Sequence, residues 1–242
     1  VFDRSIRVTS GAAANAEPVA EFTLAAILFT NKDVFWQRDV RRTPRDPTLR
    51  ELRQASAIPV GNYDKTIGIV GASMVGRRVI ELLAAFAHLD VVLYDPFVDD
   101  ADAASLGVRK MELDELCSSS DVLSIHAPDL PSTRHMIAAP QLAALRTGAT
   151  VINTARGSAV VTSDLMKAIE SGKVLGACLD VLEYEKTSFE DFFADDKLPE
   201  GFQKLIESEK VLLSPHVAGW TVESKFKLAD TIVQKVRLFL EE

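Results

Sequence analysis

A doubly wound α/β fold, an open parallel sheet with helices on both faces, is the class this sequence predicts, and two observations carry the prediction. From Lys65 onward, apolar runs of four to seven residues alternate with helical patterns. The first run also ends in a glycine-rich turn that opens a helix, so strand, turn, helix and strand follow as one unit.

In chain order, residues 17–29 come first. They are apolar nearly all round, which predicts a helix buried between domains or subunits more than a one-sided surface helix. The strand candidates are TIGIV (66–70), VVLY (91–94), VLSI (122–125), TVIN (150–153), LGACLDV (175–181) and KVLLS (210–214). Between the first two, Val75, Val79, Ile80, Leu82, Leu83 and Phe86 recur near every 3.6 residues, the mark of an amphipathic helix. Between Lys186 and Glu209 the chain turns acidic, with Phe189, Phe192, Phe193 and Phe202 set among Asp and Glu. That pattern reads as an ordered excursion of short helix and loop, pinned to the body by its aromatics. The last helix, roughly 221–240, puts Leu228, Ala229, Ile232, Val233, Val236, Phe239 and Leu240 on one stripe, with Thr221 as N-cap. Such a stripe has to pack on something.

With 242 residues, 47% hydrophobic and 26% charged, the chain can bury a substantial core, as one large domain or two modest ones. Its net charge of −8 repels phosphate backbones, and Arg41, Arg42 and Arg45 form only a local cluster, so nucleic acid is not an expected partner. The most apolar stretch, Val19 to Phe29, is about half a bilayer span and holds Glu21 and Thr23, so it is not a transmembrane segment. Cys117 and Cys178 are too few for a disulfide framework and lack metal-ligand spacing. They read as buried thiols in a reducing, cytoplasmic setting with no metal. Neither initiator Met nor signal peptide is present, and the expectation is a fragment or a trimmed chain.

The turn GIVGASMVG (68–76) sits where the phosphate-cradling pattern G-x-G-x-x-G belongs. Gly71 and Gly76 keep the first and third roles, tight turn and close helix packing, whereas Ser73 replaces the second glycine. Its hydroxyl offers a hydrogen bond to a phosphate, and the helix starting near Met74 still points free N–H groups at an anion. Asp95 ends the next strand, 19 residues after Gly76, where a carboxylate accepts from both hydroxyls of an adenosine ribose and repels a 2′-phosphate. The expectation is a Rossmann-type sheet that binds NAD in preference to NADP, with Asp95 as a plain turn residue before Pro96 the competing reading.

Open α/β sheets place ligands at the carboxyl ends of their strands, and three later segments end there with chemistry: NTARGS (153–158), LDVLEYE (179–185) and SPHVAGW (214–220). Arg156 presents a fork of donors matched to a carboxylate. Glu185 and His216 can pair, the carboxylate favouring imidazolium and orienting the ring. His126 either shapes the cofactor pocket or is structural, and Trp220 either walls the substrate pocket or belongs to a core or interface. His88 and His135 read as ordinary surface or helix-end residues.

In order, NAEPVAE, the glycine turn, YDP, HAPDLPSTRHMI, INTARGS, ACLDVLEYE and LLSPHVAGWT resemble the D-isomer-specific 2-hydroxyacid dehydrogenases over nearly the whole chain. The resemblance implies a hydride transfer between NAD(H) and a small D-2-hydroxy acid or 2-oxo acid. Arg156 would hold the 2-oxo acid, His216 would donate and accept the proton, and Glu185 would partner it. Asp180 would meet the nicotinamide carboxamide. Met74, Val75, Thr154 and Ala155 would line the cofactor, as would Ala127, Pro128 and Thr133 of the HAPDLPST segment and Gly219. Ser73 departs from the family pattern and puts cofactor affinity in question.

The resemblance also divides the chain into a substrate-domain stub (1–13), the NAD-binding domain (14–217) and a helix (218–242) returning to a truncated substrate domain. It implies that these residues alone bind NAD but turn over poorly, and that the cofactor domain pairs into a homodimer through helix 17–29. A formate-specific branch is disfavoured, since it resembles a Gln at the Glu185 position, while 3-phosphoglycerate or hydroxypyruvate enzymes stay open. A competing reading is an NAD-sensing regulatory or scaffold protein of the same fold; intact Arg156, Glu185 and His216 argue against it.

Overall fold

In the computed structural model, which describes residues 8–34, 61–185 and 200–241, seven strands run parallel in one sheet. They are β1 (Lys65–Val70), β2 (Leu89–Tyr94), β3 (Arg109–Lys110), β4 (Val122–Ile125), β5 (Ala149–Asn153), β6 (Val174–Leu179) and β7 (Val211–Leu213). Their spatial order is β3-β2-β1-β4-β5-β6-β7, so the chain winds outward from β1 in one direction and from β4 in the other. The reversal opens a crevice beyond the carboxyl ends of β1 and β4.

Helices fill the crossovers: α1 (Ala16–Asn31) precedes the sheet, then α2 (Met74–Leu83), α3 (Asp100–Ser105), α4 (Leu113–Ser119), α5 (Ala139–Ala144), α6 (Thr162–Glu170), α7 (Glu200–Glu207) and α8 (Val222–Glu241). Alternation along the strands divides the core into two layers. Ile67 and Ile69 of β1 pack with Ile27 of α1 and Val79, Ile80 and Leu83 of α2. Val70, Leu123, Ile125 and Val151 point the other way, toward Leu116, Leu142, Leu165 and Ile169 of α4, α5 and α6. Both cysteines are buried free thiols, and burial pushes each up to about 12.

Two strands differ from the sequence reading, and two helices keep part of their apolar surface exposed. The sixth strand stops at Leu179, so Asp180 lies in the loop beyond it. β3 has two residues, both polar, at the sheet edge, and no apolar run announces it. α1 buries one face, with Ala20, Thr23, Ile27 and Thr30, and leaves Phe29 half exposed. The α8 stripe meets the chain only in part: Leu228 and Ile232 approach Gly11, while Val233, Val236 and Leu240 are exposed.

The cap of α8 is Thr221, as expected: its Oγ1 accepts the Ser224 N–H at 3.0 Å while Ser224 Oγ accepts the Thr221 N–H at 3.1 Å. Phe202 of α7 is buried and meets Tyr184 edge-on, whereas Phe189, Phe192 and Phe193, with Arg41, Arg42 and Arg45, lie outside the described residues. Among the described residues no helix is long and apolar enough to cross a membrane.

Candidate active site

At the end of β1, Gly71 adopts φ +95°, and a Cβ there would lie 2.9 Å from the Ala127 nitrogen, so the turn needs glycine on both counts. A Cβ on Gly76 would come within 2.0 Å of the Gly71 carbonyl oxygen; its absence lets α2 sit directly against the turn. Ser73 is the exposed N-cap residue of α2, but its side chain does not cap the helix. Its hydroxyl donates instead to the His126 carbonyl at 3.2 Å, tying the glycine turn to the loop after β4. The first N–H groups of α2 therefore stay available to an anion, and the turn fits a pyrophosphate.

Asp95 does structural work here: Oδ2 accepts the Ala72 N–H of the glycine turn at 2.8 Å, and Oδ1 accepts the Phe97 N–H at 2.8 Å. It also borders a 90 Å³ cavity with Gly71, Phe97, Pro128 and Thr133. The turn-residue reading holds, and each oxygen keeps a further lone pair. Thr133 donates to the Pro128 carbonyl at 2.5 Å, which shapes the rim.

A larger cleft of about 510 Å³ holds most of the remaining candidates: Ser73, Met74, Val75, Ala127 and Pro128 toward the turn, and Thr154, Ala155, Arg156, Asp180, His216 and Gly219 toward the later strands. Trp220 lines it too, 60% exposed, with Lys225 Nζ 5.4 Å from its ring centre. Beyond β5 the buried Asn153 side chain spans the next turn, donating to the Arg156 carbonyl at 2.9 Å and accepting the Ala155 N–H at 3.1 Å. This sets Arg156 at the cleft, its Nη1 on the Ala155 carbonyl at 2.7 Å. Thr154 Oγ1 lies 2.9 Å from Thr23 Oγ1 of α1, which itself donates to the Val19 carbonyl at 2.8 Å.

The loop after β7 brings His216 opposite. Its backbone takes φ +53°, and Nδ1 lies 2.9 Å from Glu185 Oε1. The Glu185 hydrogen bond raises the His216 pKa above the ordinary imidazole value, outweighing burial and the Arg156 charge, with the Glu185 and Asp180 charges adding to the rise. Asp180, 2% exposed, takes three donors from that same loop: Ser214 Oγ at 2.6 Å, Val217 N at 2.9 Å and Ala218 N at 2.9 Å. Its carboxylate thus organises the turn around His216. A cation and an imidazole of raised pKa share one cleft, the imidazole backed by its carboxylate partner, an arrangement suited to anchoring an anion and passing a proton.

The other histidines separate cleanly. His126 is buried, with Nε2 2.9 Å from Ser124 Oγ and, among the described residues, no partner for Nδ1, and burial pushes its pKa down to about 3. His88 is exposed and stacks on Tyr63, as its sequence suggested. His135 is exposed, as its sequence suggested, but it has φ +55° and its Nε2 lies 2.9 Å from Glu183 Oε1. Sequence reasoning also passed over Asn15, which lines the cleft with a buried, unpartnered Oδ1, and over Thr23, Asn153 and Ser124. Thr23 meets Thr154, distant in the chain, Asn153 bonds backbone groups, and Ser124 meets the ring of His126; no spacing rule marks any of them.

Residues 33–218 match the family described as D-isomer specific 2-hydroxyacid dehydrogenase, NAD binding domain. The chain is 30% identical over 239 residues to a D-3-phosphoglycerate dehydrogenase of Mycobacterium tuberculosis, covering 98% of itself and 41% of that protein. It is 32% identical over 209 residues to a D-lactate dehydrogenase of Lactiplantibacillus plantarum, covering 84% and 61% respectively. Among solved structures, a D-lactate dehydrogenase from Aquifex aeolicus complexed with NAD and lactic acid superimposes with TM-score 0.78 at 31% identity, over 93% of this chain and 67% of that one. The chain therefore spans between two fifths and two thirds of these relatives.

Proposed function

The chain belongs to the D-isomer specific 2-hydroxyacid dehydrogenases and carries their NAD-binding domain, and from that premise we propose that the protein interconverts a small D-2-hydroxy acid and its 2-oxo acid. The observation that carries the reading is the 2.9 Å His216–Glu185 pair facing Arg156's cleft at the carboxyl ends of the strands. NAD, when bound, supplies or accepts the hydride. The glycine turn and the N-terminus of α2 would hold its pyrophosphate, Asp95 its adenosine ribose, and Thr154, Ala155, Asp180 and Gly219 its far end. The carboxylate of Asp95 supports NAD over NADP, because a 2′-phosphate there would meet a like charge.

The chain's own groups do the remaining work. Arg156 binds the substrate carboxylate through its guanidinium fork. With Nδ1 engaged by Glu185, His216 carries the mobile proton on Nε2 and delivers it to the carbonyl oxygen as negative charge builds there. Glu185 stabilises the imidazolium before transfer and orients the ring throughout. In the oxidative direction the same nitrogen, deprotonated, takes the hydroxyl proton.

The reading has further parts of the same standing. Residues 1–13 and 218–242 belong with a substrate lobe, supported by the exposed Val233, Val236 and Leu240 of α8. A homodimer forms through α1, supported by its half-exposed Phe29. The location is cytoplasmic, supported by two unpaired thiols. Calorimetry with NAD on these 242 residues, followed by NADH consumption by the whole protein over pyruvate, branched and aromatic 2-oxo acids, hydroxypyruvate and 3-phosphohydroxypyruvate, tests the core of the reading. The expected result is NAD uptake, poor turnover by these residues alone, and reduction of at least one 2-oxo acid by the whole protein. No NAD uptake, or no reduction of any of them, would defeat it.

A further inference from the structure

The loop after β6 carries two glutamates with different duties. Glu185 reaches His216; Glu183 faces elsewhere, its side chain 14% exposed. Glu183 Oε2 accepts the Thr162 N–H at 2.8 Å, and Oε1 sits 2.9 Å from His135 Nε2. Thr162 begins α6, whose N-cap residue, Val161, makes no side-chain bond, so Glu183 provides from outside the acceptor and negative charge that a helix start favours.

His135 is held just as firmly. It keeps a left-handed backbone, donates its N–H to the Ser158 carbonyl at 2.8 Å, and is followed by Ile137, which donates to Ala159 at 3.0 Å. Gly157 completes the knot: a Cβ there would fall 1.9 Å from the Leu182 carbonyl carbon, so the Arg156 loop lies flush on the Leu182–Glu183 peptide. Three loops meet at this point. They carry the Pro128–Thr133 rim, Arg156, and Glu185.

From Glu183 to Glu185 the chain has little slack. Glu185 N–H bonds the Leu182 carbonyl at 3.0 Å, and Tyr184 between the glutamates packs edge-on against Phe202. We infer that Glu183, clamped between His135 and the start of α6, is a positioning residue that sets Glu185 in register with His216 and ties the proton-transfer pair to the loop bordering the cofactor. This rests on the reading of His216 and Glu185 as the acid and base. Among the described residues, Glu185, Asp180 and Arg156 face His216, and the titratable His135 and Tyr184 face Glu183.

The test is an NMR titration of the histidines in the 242-residue chain, which has four, alongside kinetics of the whole protein. Glu183→Ala should drop the His216 pKa toward the ordinary imidazole value and lower kcat roughly ten- to hundredfold, the scale of a displaced catalytic group. Glu183→Gln, which removes the charge but keeps an acceptor for Thr162, should leave His216 raised and restore most of kcat. Equal effects of the two substitutions would mean charge acting through space, and an unchanged His216 titration in Glu183→Ala would mean a role in stability alone; either overturns the inference. If Glu183→Ala does not fold, His135→Gln takes its place, expected to lower the His216 pKa in part, and no change overturns the inference. A wild-type protein that reduces no 2-oxo acid while Glu183→Ala still moves His216 would sink the functional reading and leave the positioning intact.

Discussion

His126 and His216 carry the same ring, stand at the same edge of the sheet, and face opposite fates. His126, at the end of β4, is buried with a serine hydroxyl for company, and its pKa sinks to about 3. His216, beyond β7, is only partly buried and has a carboxylate at 2.9 Å, and its pKa rises. Depth pulls both down. The partner decides the outcome: a neutral hydroxyl cannot offset lost hydration, and a carboxylate can. One loop therefore holds a neutral ring, and the other the ring proposed above to carry the proton.

The strongest way to break this contrast is to remove each ring. His216→Ala should cost on the order of a hundredfold or more in kcat, as for a positioned acid or base, while His126→Gln should cost far less. Comparable losses, measured with any accepted 2-oxo acid, would erase the distinction.

Next in size is Glu185→Gln, which gives His216 a neutral partner like that of His126. A raised folded-state pKa means that the pair's stabilisation is fully present below the unfolded value and fades as pH rises through the folded one. Reduction, which needs imidazolium, should fade over the same rise. In Glu185→Gln the alkaline limb of kcat/KM should move to lower pH, and an unmoved limb would show that another group sets it.

The opposite sign applies to His126. Between about 3 and the ordinary imidazole value of 6.5 the unfolded chain binds a proton that the folded chain refuses, so stability should fall as pH falls through that window. Urea titrations at neutral and mildly acid pH should show a smaller acid loss in His126→Gln than in the wild type. Equal losses would assign the acid sensitivity to other groups.

Ser73→Gly is the mildest probe, removing the hydroxyl that holds the His126 carbonyl and restoring the second glycine. One such bond is worth about 1 kcal/mol, so NAD affinity should change no more than about fivefold by calorimetry. A much larger change would make the hydroxyl itself a ligand of the phosphates.

The six apolar strands were legible because a sheet covered on both faces demands short apolar runs, and the carboxyl ends of parallel strands share one edge. That geometry let NTARGS, LDVLEYE and SPHVAGW be placed together from sequence. What stayed hidden was whatever depended on long-range partners. Asp180 was legible as a residue of the cleft, but not the three donors its carboxylate takes from the loop after β7. His135 looked superficial, and is, but its tie to Glu183 of another crossover left no mark in the sequence. β3 offered two polar residues and no pattern. Ser73 was visible as an anomaly, but the direction of its hydroxyl depended on the His126 carbonyl across the crevice.

The threonine contact between α1 and the end of β5 fixes a polarity. Thr23 has a single hydroxyl hydrogen and spends it on the Val19 carbonyl, so the hydrogen shared with Thr154 must come from Thr154. Toward the cleft, Thr154 is left with lone pairs alone. A group that settles on the Thr154 hydroxyl brings its own hydrogen, as an amide N–H or a sugar hydroxyl does.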